Sequence, residues 1–321
     1  MPNWLAKAAA QKALSLLPGS RTWNHLLQTY VTHSLDLDRP QGAHATRFAA
    51  KLAQCRRHIE HYRAYAPTPN SFTALELGTG WRPIVPVGLF LCGADQVWTV
   101  DQQPMLTTAR VRETLARIVA AAQSPEWQHT LPAASADRLA TLEQALASDA
   151  QSPQALLERL HIQPLTTDAR RLPLPAASIC LIVSNNTLEH IPQPMLNGVF
   201  QEFRRLSTPH AVMSHFIDMA DHYIHFDATV SPYNFLRFST RTWSAINHSL
   251  QYLNRRRISD DRALHQAAGF TIMHEESDSS VAPLLVETPL AAEFRSYTHA
   301  DLAVTSSWIV STPMGDASCN S

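Results

Sequence analysis

Glycine is scarce in this chain, nine residues in 321, and no repeat or low-complexity tract accompanies it, so fibrous and linker-rich architectures are excluded. Cysteine is scarcer still. The four thiols, Cys55, Cys92, Cys180 and Cys319, stand far apart with no Cys-x-x-Cys pair. That spacing argues against a disulfide scaffold and a cysteine zinc site and fits a reducing cytoplasm. Neither sign of charge dominates, with 26 basic residues against 27 acidic ones. Nothing therefore draws the chain to nucleic acid or to an anionic membrane, and a small molecule is the expected partner. No window approaches the roughly 20 apolar residues of a membrane span. Lys7, Gln11 and Lys12 interrupt the stretch from Trp4 to Leu17, which reads as an amphipathic helix and not as a signal peptide. The composition leaves the oligomeric state open.

What is present falls into two patterns. Residues 1–70 read as a helical cap, with helices over Leu5 to Leu17, Thr22 to Leu35 and Ala45 to Tyr65, stopped by Pro18-Gly19 and by Pro67. From Ser71 short apolar runs alternate with helical stretches, the signature of a parallel α/β sheet. The strand candidates are Thr73 to Leu77, Val97 to Val100, Ile162 to Leu165, Ile179 to Ser184, Ala211 to Ile217, Phe270 to Glu275 and Val304 to Val310. Seven strands predict a doubly wound, mostly parallel sheet over residues 71–312, followed by a flexible tail over 313–321. The interval 103–160 is longer than one crossover needs and predicts a helical insertion, with helices over Met105 to Gln123, Ser135 to Ala147 and Ala155 to Leu160.

The scarce glycine is concentrated. Gly78, Gly80, Gly88 and Gly93 follow the first strand within sixteen residues, which predicts a loop where backbone passes close to a ligand. Glu76-Leu-Gly-Thr-Gly80 departs from the dinucleotide fingerprint because Pro83 holds the place of its third glycine. The acidic Glu76 points instead to a ligand carrying positive charge.

On these residues the chain resembles the class I S-adenosylmethionine-dependent methyltransferases, whose first motif runs acidic-x-Gly-x-Gly after the first strand. The resemblance covers roughly residues 71 to 275 and implies the Rossmann-like fold and S-adenosylmethionine as methyl donor or substrate. It implies that Glu76, Gly78 and Gly80 hold the methionine part, that Asp101 binds the ribose hydroxyls, and that Asp168 in Thr167-Asp-Ala-Arg170 lies at the adenine amino group. Arg82 stands where many members carry glycine.

Beyond the fourth strand, Asn185, Asn186, Glu189 and His190 are pocket candidates, because polar residues outside a strand's carboxyl end face the ligand crevice. A denser cluster follows the fifth strand: His215, Asp218, Asp221, His222, His225 and Asp227. Its spacing matches no known metal motif, so a substrate-recognition loop without metal is expected, with His190, His222 and His225 facing the substrate. This region resembles the azetidine-2-carboxylate synthase type of the family, which closes S-adenosylmethionine on itself and expels methylthioadenosine. That resemblance implies catalytic roles for Asn186, Tyr223 and Ser249. Methyl transfer to a small acceptor begins from the same bound cation, and a non-catalytic cofactor-binding protein is a third possibility. For either reaction the aromatic helices around Trp23, Tyr30 and Tyr62 are expected to cover a water-poor pocket.

Overall fold

A computed structural model describes residues 3–16, 41–67, 71–249 and 252–315. Seven strands form one sheet in the order β3-β2-β1-β4-β5-β7-β6. They are β1 (Phe72–Leu77), β2 (Ala94–Asp101), β3 (Ile162–Thr166), β4 (Ile179–Asn185), β5 (Ser207–Asp218), β6 (Phe270–Asp278) and β7 (Ser306–Pro313). Strands β1 to β5 pair in parallel, whereas β7 runs antiparallel to both β5 and β6. This is the seven-stranded, mostly parallel, doubly wound architecture that the sequence predicts. Every expected strand is present. Strand β7 continues through Pro313, so the expected tail begins as part of the sheet.

Helices cover both faces. Side chains of a strand alternate between faces: Ala74 joins the core beneath α2 (Gln41–Tyr65) and α3 (Ile84–Leu91), whereas Leu75 and Leu77 join the core beneath α7 (Gln193–Leu206) and α9 (Ile258–Ala267). Glu76 therefore faces the α2 side. The expected insertion consists of α4 (Thr108–Ala122), α5 (Ala136–Ala147) and α6 (Pro153–Glu158). Leu115, Ile118, Leu142 and Leu156 enter the same core as Val97 and Ile162, so these helices extend the layer over β2 and β3.

Helix α2 is seated on α3 by a close approach. A Cβ placed on Gly88 would lie 2.5 Å from Cys55 Sγ, so only glycine allows the two helices this distance. The loop expected around all four glycines is thus confined to the first two: Gly88 is helical, and Gly93 turns the chain after α3 into β2. Tyr62 is not a pocket cover. Its ring packs 4.6 Å from that of Phe72 in the core. The expected helix from Thr22 to Leu35, with Trp23 and Tyr30, lies outside the described residues.

A third, smaller core lies beyond the end of β5. Tyr233, Phe235, Trp243, Leu253 and Phe294 build it, and α1 (Asn3–Ser15) docks on it against α8 (Thr240–Ile246). Among the described residues no helix is long and apolar enough to cross a membrane.

Candidate active site

The parallel strands end together, and the loops that follow β1, β2, β4 and β5 define the site. Gly78 and Gly80 have φ of +81° and +69°, the left-handed region that side chains disfavour. At Gly78 the restriction is double, because an added Cβ would sit 2.3 Å from Thr187 Oγ1 in the loop after β4. The amide of Gly78 donates to Val100 O at 2.9 Å, and that of Gly80 donates to Asp101 Oδ2 at 3.1 Å. These bonds tie the glycine loop to the end of β2. A Cβ on Gly80 would meet nothing within 4 Å, so the loop faces open space there.

Two carboxylates flank that space. Glu76 is 3% exposed, and burial pushes its pKa up to about 7, against the pull of the Thr79 hydroxyl and of Lys51. Thr79 Oγ1 donates to Glu76 Oε2 at 2.6 Å. Burial raises Asp101 to about 6, with the Gly80 and Thr79 amides pulling the other way. Two acids left short of counter-charge beside an open loop favour a cationic or multiply hydroxylated ligand.

Helix α2 supplies groups that sequence inspection missed. Lys51 Nζ donates to Asn186 Oδ1 at 3.5 Å; burial lowers the lysine pKa, while Glu76 and Glu189 raise it. His58 Nε2 lies 3.1 Å from Asn185 Oδ1. Its Nδ1 and His61 Nδ1 each lie 2.8 Å from Ser214 Oγ. One proton assignment satisfies the chain: His58 Nε2–H donates to Asn185, the Ser214 hydroxyl donates to His58 Nδ1, and His61 Nδ1–H donates to Ser214. Burial depresses both imidazoles, which keeps this network neutral. The available signal was periodicity, because Lys51, Cys55, His58 and Tyr62 fall on one helical stripe that is otherwise apolar.

After β4 the chain turns sharply. Asn186 has φ +54°, and its amide donates to Phe216 O at 2.9 Å, which binds the turn to β5. Glu189 and His190 follow in the 3-10 turn Leu188–His190. Glu189 is buried, and burial drives its pKa well above the carboxylate range. His190 Nδ1 lies 2.7 Å from Tyr252 O, and its ring stands 5.0 Å from that of His222, edge to face. His222 Nε2 is 3.4 Å from Asp218 Oδ2.

The expected site residues thus separate into groups. Glu76, Gly78, Gly80 and Asp101 form one connected cluster. Asn186 joins it through Lys51, and Asn185 turns its carboxamide oxygen to His58. His190 and His222 meet, and His225, though exposed, brings its ring to 5.8 Å from that of His222. Tyr223 is half-buried, 5.1 Å from Trp4; burial, reinforced by Asp221, raises it to about 12, so its phenol stays neutral. Ser249 is exposed beside residue 250. Among the described residues no hydrogen bond or ring contact links Asn186, Tyr223 and Ser249. Asp168 sits at the surface with a side chain 46% exposed. Its two oxygens each accept from Arg170 Nε at 3.0 Å, and these bonds hold the carboxyl down to about 2.

No family model and no curated protein sequence matches the chain. Among solved structures it is similar to a geranyl diphosphate methyltransferase in complex with S-adenosylmethionine, at 12% identity over 82% of this chain and 85% of that one, TM-score 0.46. It is similar to the [4+2]-cyclase SpnF at 13% identity over 81% of each chain, TM-score 0.42. A third similar structure is a putative methyltransferase in complex with the Haloferax volcanii Trm112 activator, at 16% identity over 83% of this chain and 97% of that one, TM-score 0.41.

Proposed function

We propose that this chain binds S-adenosylmethionine and consumes it by breaking a bond at the sulfonium. The observation that carries this reading is the cluster of Glu76, Gly80 and Asp101, in which a glycine loop is pinned to a carboxylate at 3.1 Å and a second, buried carboxylate lies beneath it. A ligand with an ammonium or sulfonium charge and a ribose diol matches those groups. Lys51, on the same face, is the natural partner of the methionine carboxylate.

The reaction we assign is closure of the aminobutyrate chain. The neutral amine attacks the γ-carbon, the carbon–sulfur bond breaks with its electron pair going to sulfur, and methylthioadenosine leaves as azetidine-2-carboxylate forms. Three features support this. The carboxamide of Asn186 is held over the pocket by a constrained turn. The Lys51 ammonium can hold the methionine carboxylate so that the chain folds back on itself, and the proton that the ring nitrogen sheds passes to solvent. Tyr223, neutral at working pH, can offer its π face to the sulfonium. The His190–His222 cluster favours a second reading, methyl transfer to a small acceptor, since ring closure leaves those polar groups without a task.

The test is incubation of purified protein with S-adenosylmethionine alone, followed by mass spectrometry. Methylthioadenosine together with azetidine-2-carboxylate supports ring closure. S-adenosylhomocysteine formed only after an acceptor is added supports methyl transfer and overturns the assignment. Tight binding with no turnover across an acceptor panel leaves a non-catalytic binding protein.

A further inference from the structure

We infer that Glu189, His190 and His222 form a binding site for a borderline divalent transition cation of the zinc, cobalt or nickel type. One ligand atom from each residue lies within 4.8 Å of the others, and the site is empty. The three come from the turns after β4 and β5, neighbouring parallel strands whose carboxyl ends open on the same crevice. The sequence hid this constellation because its parts are some thirty residues apart and fit no local motif, which is why no metal was expected.

Two independent features make these residues more than a chance cluster. Glu189 is 3% exposed, yet neither of its carboxylate oxygens has a hydrogen-bond partner among the described residues. The backbone amides of Glu189 and Asp218 and the Lys51 charge offset its burial only in part, so a cation would remove a standing penalty. The imidazoles are also prepared for ligation. His190 Nδ1 donates to Tyr252 O at 2.7 Å, which fixes the tautomer and leaves the Nε2 lone pair free, the outer-shell arrangement of metal-bound histidine. His222 Nε2 makes no close hydrogen bond; it faces Asp218 Oδ2 at 3.4 Å and helps to hold that carboxyl down, which puts a fourth oxygen at hand. Lys51 acts on Glu189 through space without a hydrogen bond to it, and the nearby guanidinium groups are engaged, Arg256 with Asp261 at 2.9 Å and Arg255 with Glu293 at 3.0 Å.

Two imidazoles and one carboxylate select zinc-like ions over magnesium or calcium, which prefer all-oxygen shells. Ligands at about 2.1 Å from a common centre stand roughly 3 to 4 Å apart, so atoms that now lie within 4.8 Å of one another draw together by up to roughly 1 to 2 Å on binding. The set leaves at least one coordination position open to the crevice.

The site does not depend on the reaction proposed above, and its test needs no S-adenosylmethionine. Chelator-treated protein is titrated with Co2+ and followed by visible absorption and calorimetry. One equivalent should bind with a d–d band, and Glu189→Gln and His222→Ala should each weaken binding at least tenfold, while His129→Ala at the surface leaves it unchanged. The proposal is overturned if the protein takes up no Co2+, or if uptake survives both site variants undiminished. Proton resonances of the wild-type Co2+ form give a second readout that requires no variant to fold: two strongly shifted imidazole N–H signals are expected, and their absence overturns the assignment.

Discussion

The indole of Trp4 lies 5.1 Å from the phenol ring of Tyr223, tilted by 47°. Trp4 also meets Phe238 at 5.9 Å, and Lys12 caps the end of α8 by donating to Ser244 O and Asn247 O at 2.9 and 2.8 Å. Helix α1 is therefore clamped onto the loop that carries Tyr223. Trp4→Ala should release this clamp. Burying a tryptophan is worth about 3 to 5 kcal/mol, but undocking of α1 limits the global loss to part of that. Hydrogen exchange should show protection lost in α1 and around residues 222–226, with the sheet amides unaffected. Uniform loss across the sheet would contradict this local picture.

Gly78 and Gly80 should respond unequally to alanine. Both need a positive φ, which disfavours alanine by about 1 to 2 kcal/mol, but only residue 78 adds the collision with Thr187. Denaturant unfolding should therefore rank Gly78→Ala well below Gly80→Ala, and Thr187→Gly should recover part of the loss in the Gly78→Ala background. Equal midpoints for the two single variants would remove the collision from the account.

Binding of a cationic ligand should strengthen with pH through the range from about 6 to 7, where Asp101 and Glu76 ionise. A cation requires the ionised acids, so protons compete with it below these values, and affinity should fall by up to about tenfold per pH unit for each acid involved. Calorimetry of S-adenosylmethionine binding across pH checks this. Glu76→Gln should flatten the profile. Lys51→Met, which removes a positive neighbour of Glu76, should move its midpoint to higher pH.

Stability should show opposed pH effects. Burial lowers His215 to about 3 and His61 to about 4. Such groups contribute stability that is complete above the free histidine value and is lost as pH falls through the folded value, on the order of 1.4 kcal/mol per unit for a fully buried ring. Glu76 and Asp101, raised in the folded state, act the other way and lose their contribution as pH rises to about 7 and about 6. His58 and His265 are also depressed by burial, so the imidazoles should dominate. Thermal melts should fall from pH 7 to pH 5, and His215→Gln should reduce the slope. A melting temperature flat over that interval would refute the balance.

The sequence made the frame of the site readable because its signals are local. An apolar run, a glycine pair and Asp101 at the end of the next strand lie within thirty residues of one another, and parallel pairing of β1 with β2 brings them together with no further information. What α2 delivers was not readable in that way. Lys51 and His58 reach Asn186 and Asn185 across more than a hundred residues of chain, and their clue was polarity on a buried stripe. A shorter gap, some thirty residues, was enough to conceal the meeting of Glu189 with His222. Tyr62 misled because an aromatic on an amphipathic helix packs into a core or over a pocket with the same spacing.

The contact between Gly88 and Cys55 carries this further. Cys55 is one helical turn from Lys51, so the clearance behind α2 sets how deeply that lysine reaches into the pocket. A single methyl at residue 88 would find Cys55 Sγ at 2.5 Å and would lever the helix outward, withdrawing positive charge from Glu76 and Glu189. The electrostatic character of the pocket is thus adjustable from its far wall, by a residue that no ligand ever meets.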